Sequence, residues 1–318
     1  METASPNLKG LRLLLVVNSF ASSVTARNRV IIEQTLGEHH EVTVRETNRR
    51  GHATRFAQDA AQRGVDVVVA LGGDGTLNEV ANGLAGSSTA LATLPGGSTN
   101  VFARTIGLPN DPVAAARDIA GALDARHISR VGLGLVNGRY FCFHTGIGLD
   151  AAIVRAVERR ASMKRWLGHP LFIWAGLTTF VQGYDRRHPH FRVTGSDGSA
   201  VADGYLTIVL NTNPYTYFGN RPLDLSPAAT LDRGLVAVTF RSLAVGNVVG
   251  GLLTALRGGG LPDKPGIVTR VDLSGLTVES DRPFPYQLDG DYLGETRRLE
   301  FANAPDVLDL VMPLPAPA

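Results

Sequence analysis

The run from Val65 to Leu71, which passes directly into Gly72-Gly73-Asp74-Gly75-Thr76, constrains this chain more than any other stretch. Val67 to Leu71 is continuously apolar, so it reads as a strand buried on both faces, the kind a parallel sheet requires. The glycines then let the backbone turn closely, and a helical pattern follows from Leu77 to about Leu84. A buried strand that ends in glycines and enters a helix is the joint of an open α/β sheet. The joint recurs one strand later, where Ala90 to Leu94 runs into Pro95-Gly96-Gly97-Ser98. Strands at Leu11–Val17 and Glu41–Glu46 and helices at Thr25–Leu36, Ala53–Arg63 and Asp111–Ala122 complete the alternation.

Past about residue 130 the rhythm changes. Apolar or period-two runs at Arg139–His144, Phe191–Val193, Tyr205–Leu210, Leu235–Phe240, Val268–Leu273 and Leu276–Glu279 are separated by Gly, Pro, Asn and Asp turns. Helical patterns are fewer: Ala151–Arg160, Leu171–Phe180 and Val245–Leu256. The expected fold is an α/β nucleotide-binding domain with an open parallel sheet over residues 1–130, then a mainly β, sandwich-like domain over 131–305. The run Val307–Val311 is expected to return to the first domain, so that 306–318 completes it.

Composition narrows the class of function. Across 318 residues, 31 Lys and Arg face 29 acids, and a formal charge of +2 is no footprint of a nucleic-acid binder. The single cysteine, Cys142, excludes an intramolecular disulfide, and its apolar neighbours mark it as core rather than nucleophile. No secretory signal is evident, and the greasiest stretch, Leu171–Val181, falls short of the ~20 residues a spanning helix needs. The expectation is a cytoplasmic protein that meets a membrane only from its inner face.

Glycines at Gly72, Gly73 and Gly75 allow backbone N–H groups to approach phosphate oxygens, and the helix N-terminus adds partial positive charge. No Lys-Ser/Thr pair follows, so this is not a P-loop. Asp74 among such glycines would repel phosphate unless a cation intervened, which makes it a candidate Mg2+-linked acid. Neighbouring parallel strands bring the second loop, with Ser98, to the same end of the sheet. Near the end of the chain, Asp289-Gly290-Asp291 projects two carboxylates from one tight turn. Taken alone it reads as an ordinary hairpin turn, for which Asp-Gly is a common choice, or as a pair suited to proton transfer and metal binding.

Taken together, the two loops, with Val101 to Pro109 after the second, resemble the diacylglycerol kinase catalytic domain, whose superfamily includes sphingosine, ceramide and, more distantly, NAD kinases. Gly146-Ile147-Gly148-Leu149-Asp150-Ala151, the stretch from Asn211 to Pro227 and Leu288-Asp289-Gly290-Asp291 extend the likeness over most of the chain. The resemblance implies an α/β nucleotide domain facing a β-sandwich, with ATP and Mg2+ in the cleft. It implies phosphate contacts from Gly72, Gly73, Asp74, Gly75, Thr76, Leu77, Asn78 and Ser98, and nucleotide contacts from Asn18, Ser22 and Thr47. Asp289 becomes the base candidate, and Asp291 stands where the family usually has glutamate, with Asp74 and Asp291 shared with the metal. The chain departs from the family at Ser19 and Ser22 in the first loop, at Val101, where an acid is common, and at Arg233, where an aspartate often serves a structural metal.

The activity implied is ATP- and Mg2+-dependent phosphorylation of a hydroxyl on diacylglycerol or a similar lipid presented by a membrane surface. A sphingoid base, ceramide or NAD as acceptor, or a non-catalytic nucleotide or lipid sensor, are the rival readings, and a homodimer is admitted. Arg155, Arg159, Arg160, Lys164 and Arg165 precede Phe172, Ile173, Trp174 and Phe180. That segment reads equally as a solvated helix before a core helix and as a contact with anionic lipid. Gly146 to Ala151 also fits a dinucleotide pattern, but no acid follows on a second strand, so a strand-to-helix joint is the expected structure.

Overall fold

The structure, a computed structural model, describes residues 10–159, 188–261, 263 and 266–315. These divide into two compact units. The first comprises residues up to Gly97, Ile106–Arg130 and the chain from Leu308 onward; the second comprises Ser98–Thr105 and Val131–Val307.

In the first unit, β1 (Arg12–Val17), β2 (Glu41–Glu46), β3 (Val67–Gly72) and β4 (Ala90–Pro95) pair in the order β4-β3-β1-β2, all parallel. The end of β16 (Asp291–Val311) lies parallel to β4, with Leu310 opposite Leu91. Every residue of β3 and β4 is buried, as continuous apolar runs demand, while β2 is mostly exposed. The helices begin where local chemistry supplies a cap. Thr25 Oγ1 accepts the Asn28 amide at the start of α1 (Ala26–Gly37), and Asp111 accepts two amides ahead of α5 (Pro112–Asp124). At α2 (His52–Gln62) the cap position is Gly51, which has no side chain to offer. Glu79, from α3 (Asp74–Leu84), supplies the missing acceptor, at 2.8 Å from the Gly51 N–H and 3.1 Å from that of Ala53.

The second unit is mainly antiparallel. A ladder runs β14 (Ile267–Leu273), β13 (Leu235–Phe240), β10 (Leu206–Leu210), β7 (His144–Gly148), β15 (Gly275–Leu288). The first half of β15 pairs instead with β8 (Phe191–Gly195), and a register shift between Glu279 and Phe284 separates the halves. Phe191, Val193 and Leu276 from one side and Ile147, Val209 and Leu235 from the other share one apolar core. Strands β5 (Ile128–Val136), β6 (Arg139–Phe141), β9 (Ala200–Gly204), β11 (Thr216–Phe218) and β12 (Arg221–Leu223) complete the strand set described. The described helices are α4 (Val101–Thr105), α6 (Leu149–Glu158) and α7 (Val245–Leu256). A parallel α/β part and a mostly β part are the fold class expected from the sequence. Cys142 is 1% exposed, in keeping with a core residue. Among the described residues no helix is long and apolar enough to cross a membrane.

Candidate active site

The carboxyl ends of β1, β3 and β4 gather the glycine loops within the first unit. The Gly96 N–H donates to Gly72 O at 2.7 Å, and Ser23 N–H donates to Gly96 O at 2.9 Å. Approach this close needs glycine: a Cβ at Gly96 would sit 2.8 Å from Gly72 Cα, and one at Gly72 would sit 2.7 Å from the Thr76 side chain. Asn18, at the end of β1, donates from its amide to Thr76 Oγ1 at 3.0 Å, tying the first loop to the first turn of α3. The N-cap of α3 is Gly73, which has no side chain to cap the helix, and Asp74 stands in the first turn that follows.

The expected phosphate-binding residues separate by position. Gly72, Gly73, Asp74 and Gly75 form the turn. The amides of Thr76 and Leu77 both donate to Gly73 O, and the Leu77 and Asn78 side chains are 3% and 1% exposed. Both are buried in the first turns of α3, and Asn78 Oδ1 accepts the Asn82 side-chain amide at 3.2 Å. Thr47 follows β2 and its N–H donates to Val17 O at 2.9 Å, one strand from Asn18. Ser22 is exposed in the loop after β1, and Ser98 belongs to the second unit.

In the second unit, Asp289 and Gly290 are the two linking residues of the β15–β16 hairpin, with Leu288 opposite Asp291. Both have left-handed backbones, φ 47° and 83°. The hairpin reading of Asp-Gly is thus correct as geometry, but within the turn Asp289 is buried while Gly290 is exposed. Asp289 is 4% exposed, and its carboxylate accepts the Cys142, Phe143 and His144 amides at 2.7, 3.0 and 3.1 Å. Three of a carboxylate's roughly four acceptor directions are thereby used. Asp291 is less enclosed than Asp289.

Beside this turn lies a buried polar group that the sequence did not announce. Asp150, on the first turn of α6, accepts the Tyr215 hydroxyl on one oxygen and the Gln287 side-chain amide on the other, the latter at 2.8 Å. Burial pushes its carboxyl above the ordinary value, against the two hydrogen bonds, and burial likewise raises the Tyr215 hydroxyl. His144 stacks on Tyr215 with ring centroids 4.4 Å apart, and burial depresses its imidazole to about 3. Asp150 and Tyr215 fall within stretches that carry the family likeness, Gly146 to Ala151 and Asn211 to Pro227, but neither stretch shows that they meet. The glycines of the first stretch make the expected joint: Gly148, with φ 77°, passes β7 into α6. A Cβ on Gly146 would collide with the Asp150 carboxylate.

Val101, where the resemblance expects an acid, opens α4 with 4% exposure. Arg155 pairs with Glu295 at 2.8 Å, while residues 160–187 of the basic and aromatic segment lie outside the described residues. Among the described residues no group of three or more His, Cys, Asp or Glu is arranged to hold a metal. Mg2+ binds nucleotide phosphates through one or two carboxylates and water, so Asp74 at the mouth of the glycine turn has the hard oxygen that such an ion takes.

The family profile described as "Diacylglycerol kinase catalytic domain" matches residues 12–131. A protein of Pseudomonas aeruginosa (strain UCBPP-PA14) described as "Probable lipid kinase YegS-like" is 30% identical over 311 residues, 96% of this chain and 95% of the relative. A "Diacylglycerol kinase" of Bacillus subtilis (strain 168) is 30% identical over 280 residues, 86% of each chain. A crystal structure of a protein assigned as a diacylglycerol kinase from Bacillus anthracis str. Sterne superposes with a TM-score of 0.76. It is 25% identical and covers 97% of this chain and 99% of its own.

Proposed function

The chain belongs to the diacylglycerol kinase family of lipid kinases, which use ATP, and from that premise we propose that it phosphorylates the free hydroxyl of diacylglycerol or a close analogue, yielding phosphatidic acid or its counterpart. The observation that carries the nucleotide half is the N-terminus of α3, whose N-cap is a glycine and which is ringed by Gly72, Gly73 and Gly96. Backbone N–H groups and the helix dipole suit the triphosphate, and fixed dipoles need no rearrangement when charge shifts during transfer. Asp74 would offer an oxygen to Mg2+ carried by the phosphates, and the ion would supply charge neutralisation.

In the reaction the lipid hydroxyl oxygen forms a bond to the γ-phosphorus, the bond to the β,γ-bridging oxygen breaks, and ADP leaves. The hydroxyl proton passes to a carboxylate of the Asp289-Gly290-Asp291 turn. The family resemblance points to Asp289 as that acceptor. Its commitment to three amides favours a division in which Asp291 meets the hydroxyl and Asp289 fixes the turn. An acceptor dissolved in a bilayer also requires the protein to attach peripherally to a membrane surface.

Incubation with labelled ATP, Mg2+ and a total bacterial lipid extract tests the reading. Label is expected in a lipid that comigrates with phosphatidic acid. Label in a phosphorylated sphingoid base or ceramide would move the acceptor class, and ATP binding without any labelled lipid would overturn the reading in favour of a sensor.

A further inference from the structure

The left-handed backbone at Asp289 is unfavourable for a residue with a Cβ, so its surroundings must hold it. One side is held by the start of β7 and the two residues before it: the Asp289 N–H donates to His144 O at 2.9 Å while its carboxylate takes the three amides of Cys142, Phe143 and His144. The other side is held through a side chain. The Gly290 N–H donates to Gln287 Oε1 at 2.8 Å, and Gln287 is fully buried.

A buried glutamine amide has two ends of similar shape, and only its partners decide which faces the turn. Here the partner of the NH2 end is the Asp150 carboxylate at 2.8 Å, which in its ionised form accepts and cannot donate. That directs the glutamine oxygen at Gly290. The Tyr215 hydroxyl occupies the other Asp150 oxygen and fixes the carboxylate in turn. Room for the carboxylate exists only because residue 146 is glycine, where a Cβ would also come within 2.6 Å of Gln287 Nε2. An acid 7% exposed, answered by two neutral donors, is costly to retain. Its consequence in the structure is one specific orientation beside the acidic turn.

We propose that Asp150 is a positioning residue: acting through Gln287, it sets the backbone at Gly290 and so the direction in which the Asp291 side chain leaves the hairpin. This rests on the reading of that hairpin as the acidic element of phosphoryl transfer. Asp150 itself touches no reacting atom in this assignment. The line runs from Tyr215 through Asp150 and Gln287 to Gly290, entirely within the second unit.

Two readouts test it on the full-length protein. Hydrogen exchange of a peptide spanning residues 286–293 reports the Gly290 amide and needs no substrate. Asp150→Leu and Gln287→Met should each speed that exchange about tenfold while core peptides keep their protection. In the assay with labelled ATP and total lipid extract, both variants should lose at least about tenfold in kcat with KM for ATP unchanged, as displacement of a reacting group predicts. Asp150→Asn can still accept from Gln287 through its oxygen and donate to the Tyr215 oxygen, so it should restore most of both signals. Because one chain of bonds is involved, Asp150→Leu added to Gln287→Met should lower kcat little further. Unchanged Gly290 exchange in folded Asp150→Leu, or multiplicative losses in the double variant, would overturn the proposal. Should Asp150→Leu fail to fold, Gln287→Met and the Asp150→Asn rescue decide alone. If Asp291→Asn turns over normally, the hairpin's catalytic role falls, while the exchange result still judges the positioning line.

Discussion

Each unit carries an Asp beside glycine in a tight turn, and the two turns are built for opposite ends. At Gly72-Gly73-Asp74-Gly75 the glycines remove side chains so that backbone can crowd backbone, and the N-cap of α3 is itself a glycine. At Asp289-Gly290 the glycine serves a left-handed turn, and side-chain and backbone partners close around it from β7 and Gln287. The first turn is arranged to receive charge, the second to keep a shape. Residue types and spacing are alike in both, so the difference comes from what the rest of each unit brings to the turn.

The contrast is broken most severely at the acids. Asp291→Asn should lower turnover by about 10²- to 10⁴-fold, with ATP affinity retained, if it accepts the proton. Asp289→Asn would place an NH2 group against backbone donors, so it should lose about 1–3 kcal/mol of stability in urea along with activity. A stable, inactive Asp289→Asn beside an active Asp291→Asn would exchange the two roles.

Glycine substitutions in the first unit should come next. At Gly96 a new Cβ meets backbone, Gly72 Cα at 2.8 Å, so Gly96→Ala should cost about 1–3 kcal/mol and nucleotide affinity together. At Gly73 the nearest atom is Gly97 Cα at 3.4 Å, an ordinary contact. Gly73→Ala should therefore keep its unfolding midpoint and lose ATP affinity by calorimetry. Equal ATP affinity in a folded Gly73→Ala would remove this turn from the nucleotide site.

The closed turn has a pH signature. The His144 imidazole is depressed from 6.5 to about 3 by burial, so the unfolded chain binds more protons between those values. Its contribution to stability is complete above pH 6.5 and is lost as pH falls, with a slope of up to about 1.4 kcal/mol per pH unit. Asp150, shifted upward from 3.8 by burial, acts with the opposite sign and loses stability as pH rises. His144→Phe, which keeps a ring against Tyr215, should flatten or invert the stability curve in that acidic window. A parallel wild-type and variant curve would show that His144 titrates normally.

The smallest effect should come from Glu79, which lies at the glycine turn in sequence yet caps α2 in space. Glu79→Ala should cost about 1 kcal/mol in thermal unfolding and leave ATP affinity unchanged. A fall in ATP affinity at constant stability would make it part of the nucleotide site.

Where periodicity was clean, the sequence was informative. Glu41–Glu46 and Val245–Leu256 lie where their patterns place them, and Thr25 and Asp111 mark helix starts. Helix α3 begins at Asp74 rather than Leu77, because its first turn is made of the glycine loop itself. The long strands were the least legible. Only Leu276–Glu279 stood out from β15, since the register shift after Glu279 interrupts alternation and Ser280, Asp281 and Arg282 carry no apolar signal. Strand β5 does not show in the sequence because Gly132 and Gly134 dilute its pattern; a Cβ at Gly134 would collide with the Phe141 ring. Of the candidate site, the glycine loops could be read locally. The line joining Tyr215, Asp150 and Gln287 could not, since its members meet only through three-dimensional pairing of β7, β10 and β15.

The return of β16 to the first unit has a consequence for biosynthesis. A ribosome releases the strands β1 to β4 early, but the partner of β4, at Leu310, emerges only after the entire second unit has been made. Throughout that interval the growing chain carries β4 with an open flank of N–H and C=O groups, a template for wrong pairing between nascent chains. Translation speed and chaperone cover across the codons for the second unit therefore bear on the yield of the first.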